Sequence, residues 1–168
     1  CDPGTLGVYG FQHRSSRDYF SETVATAEQI NEPRIWDLLG KAGKQVAVIS
    51  VPQTYPVRPV NGTLISGFLT PDTHPEGRGA SSCIIQANGD YLIDAIPYRT
   101  PDKEDLLKRL HALLDNRFAI TNYVLNSKSW DFAMMVEIGL DRLHHGFWRY
   151  YDPGHPRYEH HPVLSTAF

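Results

Sequence analysis

Cysteine is scarce. Cys1 and Cys83 are the only two in 168 residues, too few for a disulfide framework. The plain expectation is two ordinary thiols in a reducing compartment, hence a cytoplasmic protein. A basic excess is also missing. Lys plus Arg number 16 against 19 Asp plus Glu, a net charge of −3. Binding nucleic acid through its phosphates is therefore not expected. No apolar run approaches the roughly 20 residues that span a bilayer, and no signal peptide is visible, so no membrane role is expected. The longest clean apolar stretch, Val46 to Val51, has the length of a strand.

Several catalytic signatures are missing too. Ser50, Ser66, Ser81 and Ser82 lack a G-x-S-x-G elbow. Neither a Walker A loop nor a G-x-G-x-x-G occurs. Cys83 has no neighbour that would mark it as reactive. Internal repeats and low-complexity tracts are absent. What remains is 41% hydrophobic and 21% charged, the make-up of a folded chain and not of a disordered one.

The first residue is Cys, which leaves three readings: a lipidated N-terminus, a processed N-terminal nucleophile, or a piece from within a longer protein. Pro3 and Gly4 favour a turn over a catalytic terminus. Two strong strands are too few for a complete doubly wound sheet, so the piece is the expectation.

Residues 1–30 read as loop, rich in Gly, Ser and Thr. Asn31-Glu32-Pro33 opens a short helix, with Ile35, Leu38 and Leu39 spaced for one buried face. Gly40 and Gly43 end it. Gln45 to Val51 reads as a buried strand. Residues 52–89 are crowded with Pro and Gly and read as a long excursion, with one short strand at Thr63 to Ser66. Another short strand is expected at Tyr91 to Ile96. The clearest helix spans 101–124, with Thr100 as N-cap and Pro101 at the first position. Asp102, Glu104 and Asp105 suit the positive end of its dipole. Leu106, Leu107, Leu110, Leu113, Leu114 and Phe118 form its apolar stripe. Trp130 to Ile138 follows as a second buried strand. Strand, helix, strand predicts a βαβ crossover in a parallel sheet, an α/β fold.

Asp141 and His145 are four apart, so on a helical turn they share a face. A carboxylate and an imidazole so placed suit a cation such as zinc. They follow a predicted parallel strand, beyond whose carboxyl end ligands bind in open α/β sheets. The plainer reading is a surface Asp beside a half-buried His. His144 is adjacent to His145 and so points elsewhere, into packing or toward substrate. His155, His160 and His161 sit in a Pro-rich tail and read as solvated. Trp36 and Trp130 read as core. Phe147-Trp148 and Tyr150-Tyr151 are read first as core, and otherwise as a stacking pocket for a flat leaving group such as a nucleobase.

Three segments carry a resemblance: Asp2-Pro3-Gly4 followed by Gly7-Val8-Tyr9-Gly10-Phe11; residues 35–71, IWDLLGKAGKQVAVISVPQTYPVRPVNGTLISGFLTP; and residues 130–158, WDFAMMVEIGLDRLHHGFWRYYDPGHPRY. The chain resembles the type I phosphodiesterase/nucleotide pyrophosphatase family of the alkaline phosphatase superfamily. The resemblance implies an alkaline-phosphatase-like three-layer fold with a mostly parallel sheet, and residues 1–168 as part of one such domain carrying an insertion at about 52–89. It implies hydrolysis of small-molecule phosphoesters with two divalent ions, zinc or manganese in kind, through a phospho-enzyme on Thr or Ser. It assigns Asp141 and His145 as two ligands of one ion; family members commonly carry Gln at the place of His144. The nucleophile is expected upstream of Cys1, and further ligands upstream of Cys1 and beyond Phe168. The 168 residues alone are thus expected to be inactive. A non-catalytic binding module on the same fold, or a related phosphomutase or sulfatase, are the alternatives. Cys1-Asp2-Pro3-Gly4-Thr5 has the Cys and Pro of a sulfatase motif but not its Ser-Arg.

Overall fold

A computed structural model describes residues 2–14, 22–70 and 91–167. Its centre is a three-stranded, all-parallel sheet. Strand β3 (Val46–Val51) lies in the middle, between β4 (Gly62–Ser66) and β5 (Phe132–Met135). All six residues of β3 are buried. A strand covered on both faces needs apolar side chains on both, and Val-Ala-Val-Ile-Ser-Val supplies them.

Alternate residues of β3 serve opposite layers. Ala47 and Ile49 pack with Ile65 of β4 and with Ile120 and Val124 of helix α3 (Lys103–Ser127). Val46 and Val48 pack with Leu64 and with Trp36 of helix α2 (Ile35–Lys41), and an irregularity between Ile49 and Val51 turns Val51 to the same side. Helix, sheet and helix form three layers, as expected. The helical crossover runs from β4 through α3 to β5, on the far side of the middle strand β3, and β5 pairs parallel to β3 with Val46 opposite Phe132 and Ile49 opposite Met135.

Helix α3 is longer than its stripe predicted and begins later. Asp102, not Thr100, is the N-cap; its carboxylate accepts from the Asp105 amide at 3.0 Å. Leu106, Leu107, Leu110 and Leu113 are buried as expected. Leu114 and Phe118 are exposed, and Arg117, Ile120, Thr121 and Val124 are buried instead. Over this length a 3.6-residue repeat drifts off any fixed heptad, and the helix changes partners along its course. Its first half packs on Phe147 and Tyr150 of helix α4 (Gly139–Tyr151) and on Leu164, and its second half on the sheet.

Four further expectations need correction. Residues 1–30 are not all loop. Helix α1 (Pro3–Leu6) is capped by Asp2, strands β1 (Gln12–Arg14) and β2 (Glu22–Val24) pair antiparallel, and Ala27–Gln29 form a 3-10 turn. In α2, Ile35 and Leu38 are exposed, and Trp36 turns inward in their place. Residues 91–96 form no strand. The Leu92 amide donates to the Asn116 side chain, and the Leu92 and Ile93 carbonyls accept from Arg117. With those groups satisfied by α3, a sheet partner has little left to bond. The strand expected over 130–138 is shorter, Phe132–Met135.

Within the 52–89 excursion, the predicted strand exists and joins the sheet beside β3. The remainder of that stretch from residue 71, with Ser81, Ser82 and Cys83, lies outside the described residues, as does Cys1. Among the described residues no helix is long and apolar enough to cross a membrane.

Candidate metal centre

The chain leaves β5 at Met135, crosses Val136 to Ile138, and enters α4 at Gly139. The first turn of α4 therefore sits at the carboxyl end of the parallel strands. The Glu137 carboxylate accepts from the Gly139 amide at 2.6 Å, fixing that entry.

Asp141 and His145 occupy successive turns of α4. Asp141 Oδ1 lies 3.5 Å from His145 Nε2, and both side chains are about half exposed, 48% and 58%. Ligand bonds of about 2.0–2.2 Å at a tetrahedral angle put two donors about 3.4 Å apart. The spacing and chemistry of the pair fit two donors to one ion. Among the described residues no group of three or more His, Cys, Asp or Glu is placed to hold a metal.

The second carboxylate oxygen is engaged elsewhere. Arg142 Nη1 donates to Asp141 Oδ2 at 3.0 Å. Arg142 is itself held by a two-point ion pair: Nε donates to Asp94 Oδ1 at 3.0 Å and Nη2 to Oδ2 at 2.5 Å. Only 10% of the Arg142 side chain and 6% of Asp94 is exposed. The guanidinium stacks 4.2 Å from the Tyr98 ring centroid, with Phe68 at 5.6 Å. The hydrogen bonds to Asp94 push the Arg142 pKa up; burial opposes them, and the charges of Asp94 and Asp141 add to the rise. Removing one member of such a pair typically costs about 3–5 kcal/mol, because the other is left buried and uncompensated.

Asp94 is presented from an irregular segment that α3 fastens. Arg109 donates to the carbonyls of Ala95 (3.2 Å) and Pro97 (3.3 Å) and pairs with Asp105 at 2.7 Å. Arg117 and Asn116 hold Leu92 and Ile93. The sequence showed Arg142 only as the neighbour of Asp141, and gave no sign of Asp94 or Tyr98 as its partners. An arginine adjacent to the expected ligand was the one signal the sequence offered.

Among the described residues, His144, His155 and His161 make contacts of their own, outside this pair. The His144 ring meets Trp148 edge to face at 5.4 Å. His155 Nδ1 accepts from the Arg157 amide at 3.0 Å, and His161 Nδ1 from the amides of Val163 and Leu164. His160 lies in the same tail, after Glu159, whose amide donates to the Arg149 carbonyl at 3.1 Å. The two aromatic pairs divide. Phe147 and Tyr150 are core, and Trp148 and Tyr151 are exposed, their rings 5.6 Å apart. Trp36 is core as expected, and Trp130 packs partly buried on the sheet cluster.

Comparison with curated proteins and with solved structures gives no match. A family model does match. It is described as Type I phosphodiesterase / nucleotide pyrophosphatase and spans residues 2–160. With nearly the whole length matched, the α/β chain belongs to the type I phosphodiesterase/nucleotide pyrophosphatase family and has its alkaline-phosphatase-like fold.

Proposed function

We propose that this chain is part of a metal-dependent hydrolase of phosphodiester or nucleotide pyrophosphate bonds that works through a phospho-enzyme. Its own share of the machinery is one ligand pair, Asp141 and His145, for one of two divalent ions, zinc or manganese in kind. The observation that carries the reading is the 3.5 Å approach of Asp141 Oδ1 to His145 Nε2, at the carboxyl end of the parallel strands. Family membership supports the hydrolase class.

When bound, such ions lower the pKa of the attacking group and stabilise the charge on the entering and leaving oxygens. The residues of this chain supply the frame. Helix α4 fixes the spacing of the two donors, and Arg142 holds the carboxylate from behind. The half-exposed faces of Asp141 and His145 leave room for a small phosphoester. The net charge of −3 supports a small-molecule substrate over nucleic acid. The two cysteines support a reducing compartment.

The 168-residue chain alone is proposed to be inactive, because its described residues assemble two donors and no cluster of three. Incubation with bis(p-nitrophenyl) phosphate and added Zn²⁺ or Mn²⁺ tests this. No release of nitrophenolate is expected, and clear metal-dependent turnover would refute it. Calorimetric titration with Zn²⁺ tests the ligand pair. One site is expected in the chain and its loss in His145→Ala. Equal binding by His145→Ala would remove the assignment.

A further inference from the structure

We propose that Arg142 is a positioning residue that divides the two oxygens of Asp141 between two tasks, Oδ2 bonded to its guanidinium and Oδ1 left as a single-oxygen ligand. The proposal rests on the reading that Asp141 and His145 hold a cation.

A free aspartate on a solvent-facing helix turn rotates about its side-chain bonds. It can offer a cation either oxygen or both. Asp141 is restrained in this respect. Arg142 Nη1 takes Oδ2 at 3.0 Å, while Oδ1 faces His145 Nε2 at 3.5 Å. The restraint is only as firm as Arg142, and Arg142 is firmly held. Nε and Nη2 are fixed by Asp94, and the guanidinium plane lies on Tyr98. Both members of that ion pair are at least nine-tenths buried. The planar fork of arginine is what permits this. It engages Asp94 at two points on one side and still has Nη1 for Asp141. Partners behind a ligand orient it, and their loss typically lowers metal affinity about 10–100-fold.

Charge and positioning must be separated in the test. Removing Arg142 alone deletes a positive charge beside the site and would strengthen cation attraction while loosening Asp141. The double variant Asp94→Leu/Arg142→Met removes one acid and one base together, so the net charge around Asp141 is kept. Apolar replacement of a buried ion pair is often tolerated by the fold. Zn²⁺ affinity is read by calorimetry. The carboxylate stretching bands of ¹³C-labelled aspartate are read by difference infrared spectroscopy on adding Zn²⁺. A merely structural role would lower the melting temperature without moving those bands.

The expected result is a 10–100-fold weaker affinity in the double variant. The band separation should fall from the wide splitting of a one-oxygen ligand toward the narrow splitting of a two-oxygen one. Unchanged affinity and unchanged splitting would overturn the proposal. If the double variant does not fold, Arg142→Lys serves instead. It keeps the charge and one contact to Asp94 but not the fork, and the same direction of change is expected; wild-type values would again overturn the proposal. Zinc binding that depends on His145 but is indifferent to Arg142 would sink this inference alone. Zinc binding that is absent, or equal in His145→Ala, would sink the ligand assignment and this inference with it.

Discussion

Tyr91 fastens a segment that has no secondary structure of its own. Its hydroxyl lies 2.5 Å from Ser50 Oγ and donates to the Ser66 carbonyl at 3.1 Å, so it links the ends of β3 and β4. Burial pushes its pKa up; the Arg117 guanidinium and the Ser50 hydrogen bond oppose this, and Glu137 adds to it. The neutral phenol is thus favoured in the folded state. Its contribution to stability is whole below the ordinary value of 10.0 and is lost as pH rises through the higher folded value. Tyr91→Phe should cost about 1–3 kcal/mol at neutral pH, since Ser50 and Ser66 lose a partner in the interior. Urea melts at pH 7 and above pH 10 check this, and the variant should show a weaker alkaline decline than the wild type. At this scale the sequence was half legible. Asp141 and His145 could be paired because helical spacing is a local property. The partner of Arg142 lies 48 residues away, and local periodicity carries no trace of such a contact.

Among the elements, β3 was legible because a strand buried on both faces must be apolar throughout. Helix α3 was legible as a helix but not in its outward face, because it changes partners halfway along. Leu113 is buried in the α3–α4 cluster, and Phe118 is exposed. Leu113→Ala should therefore cost about 2–5 kcal/mol, and Phe118→Ser within about 0.5 kcal/mol. Equal losses from the two in thermal melts would contradict the assigned face. The start of β4 depends on one glycine. Gly62 has φ +149°, and a Cβ there would lie 2.0 Å from the Val46 carbonyl oxygen. Gly62→Ala should prevent β4 from pairing beside β3, seen as lost amide-exchange protection at residues 63–66 with β5 less affected. Residues 91–96 looked like a strand because their composition is that of one. Side chains from α3 took their backbone bonds, a tertiary override of local preference.

In the whole molecule, three layers set the end of the sheet at which Asp141 and His145 stand. The crossover from β4 through α3 to β5 brings α4 to the carboxyl end of the sheet. The same helix α3 carries Arg109 and Arg117, which fasten the segment that presents Asp94. A chain of contacts thus runs from one helix to another, from α3 through the segment bearing Asp94 and through Arg142 to Asp141. The fold class and crossover were readable from element order and family resemblance, and the supporting chain behind the site was not. The central claim is that Asp141 and His145 share one cation. It is tested most directly by growing crystals of the chain with Zn²⁺ and measuring anomalous scattering at the zinc edge. The account predicts a peak within bonding distance, about 2.0–2.2 Å, of both Asp141 Oδ1 and His145 Nε2. A zinc peak elsewhere, with this pair bare, would contradict it.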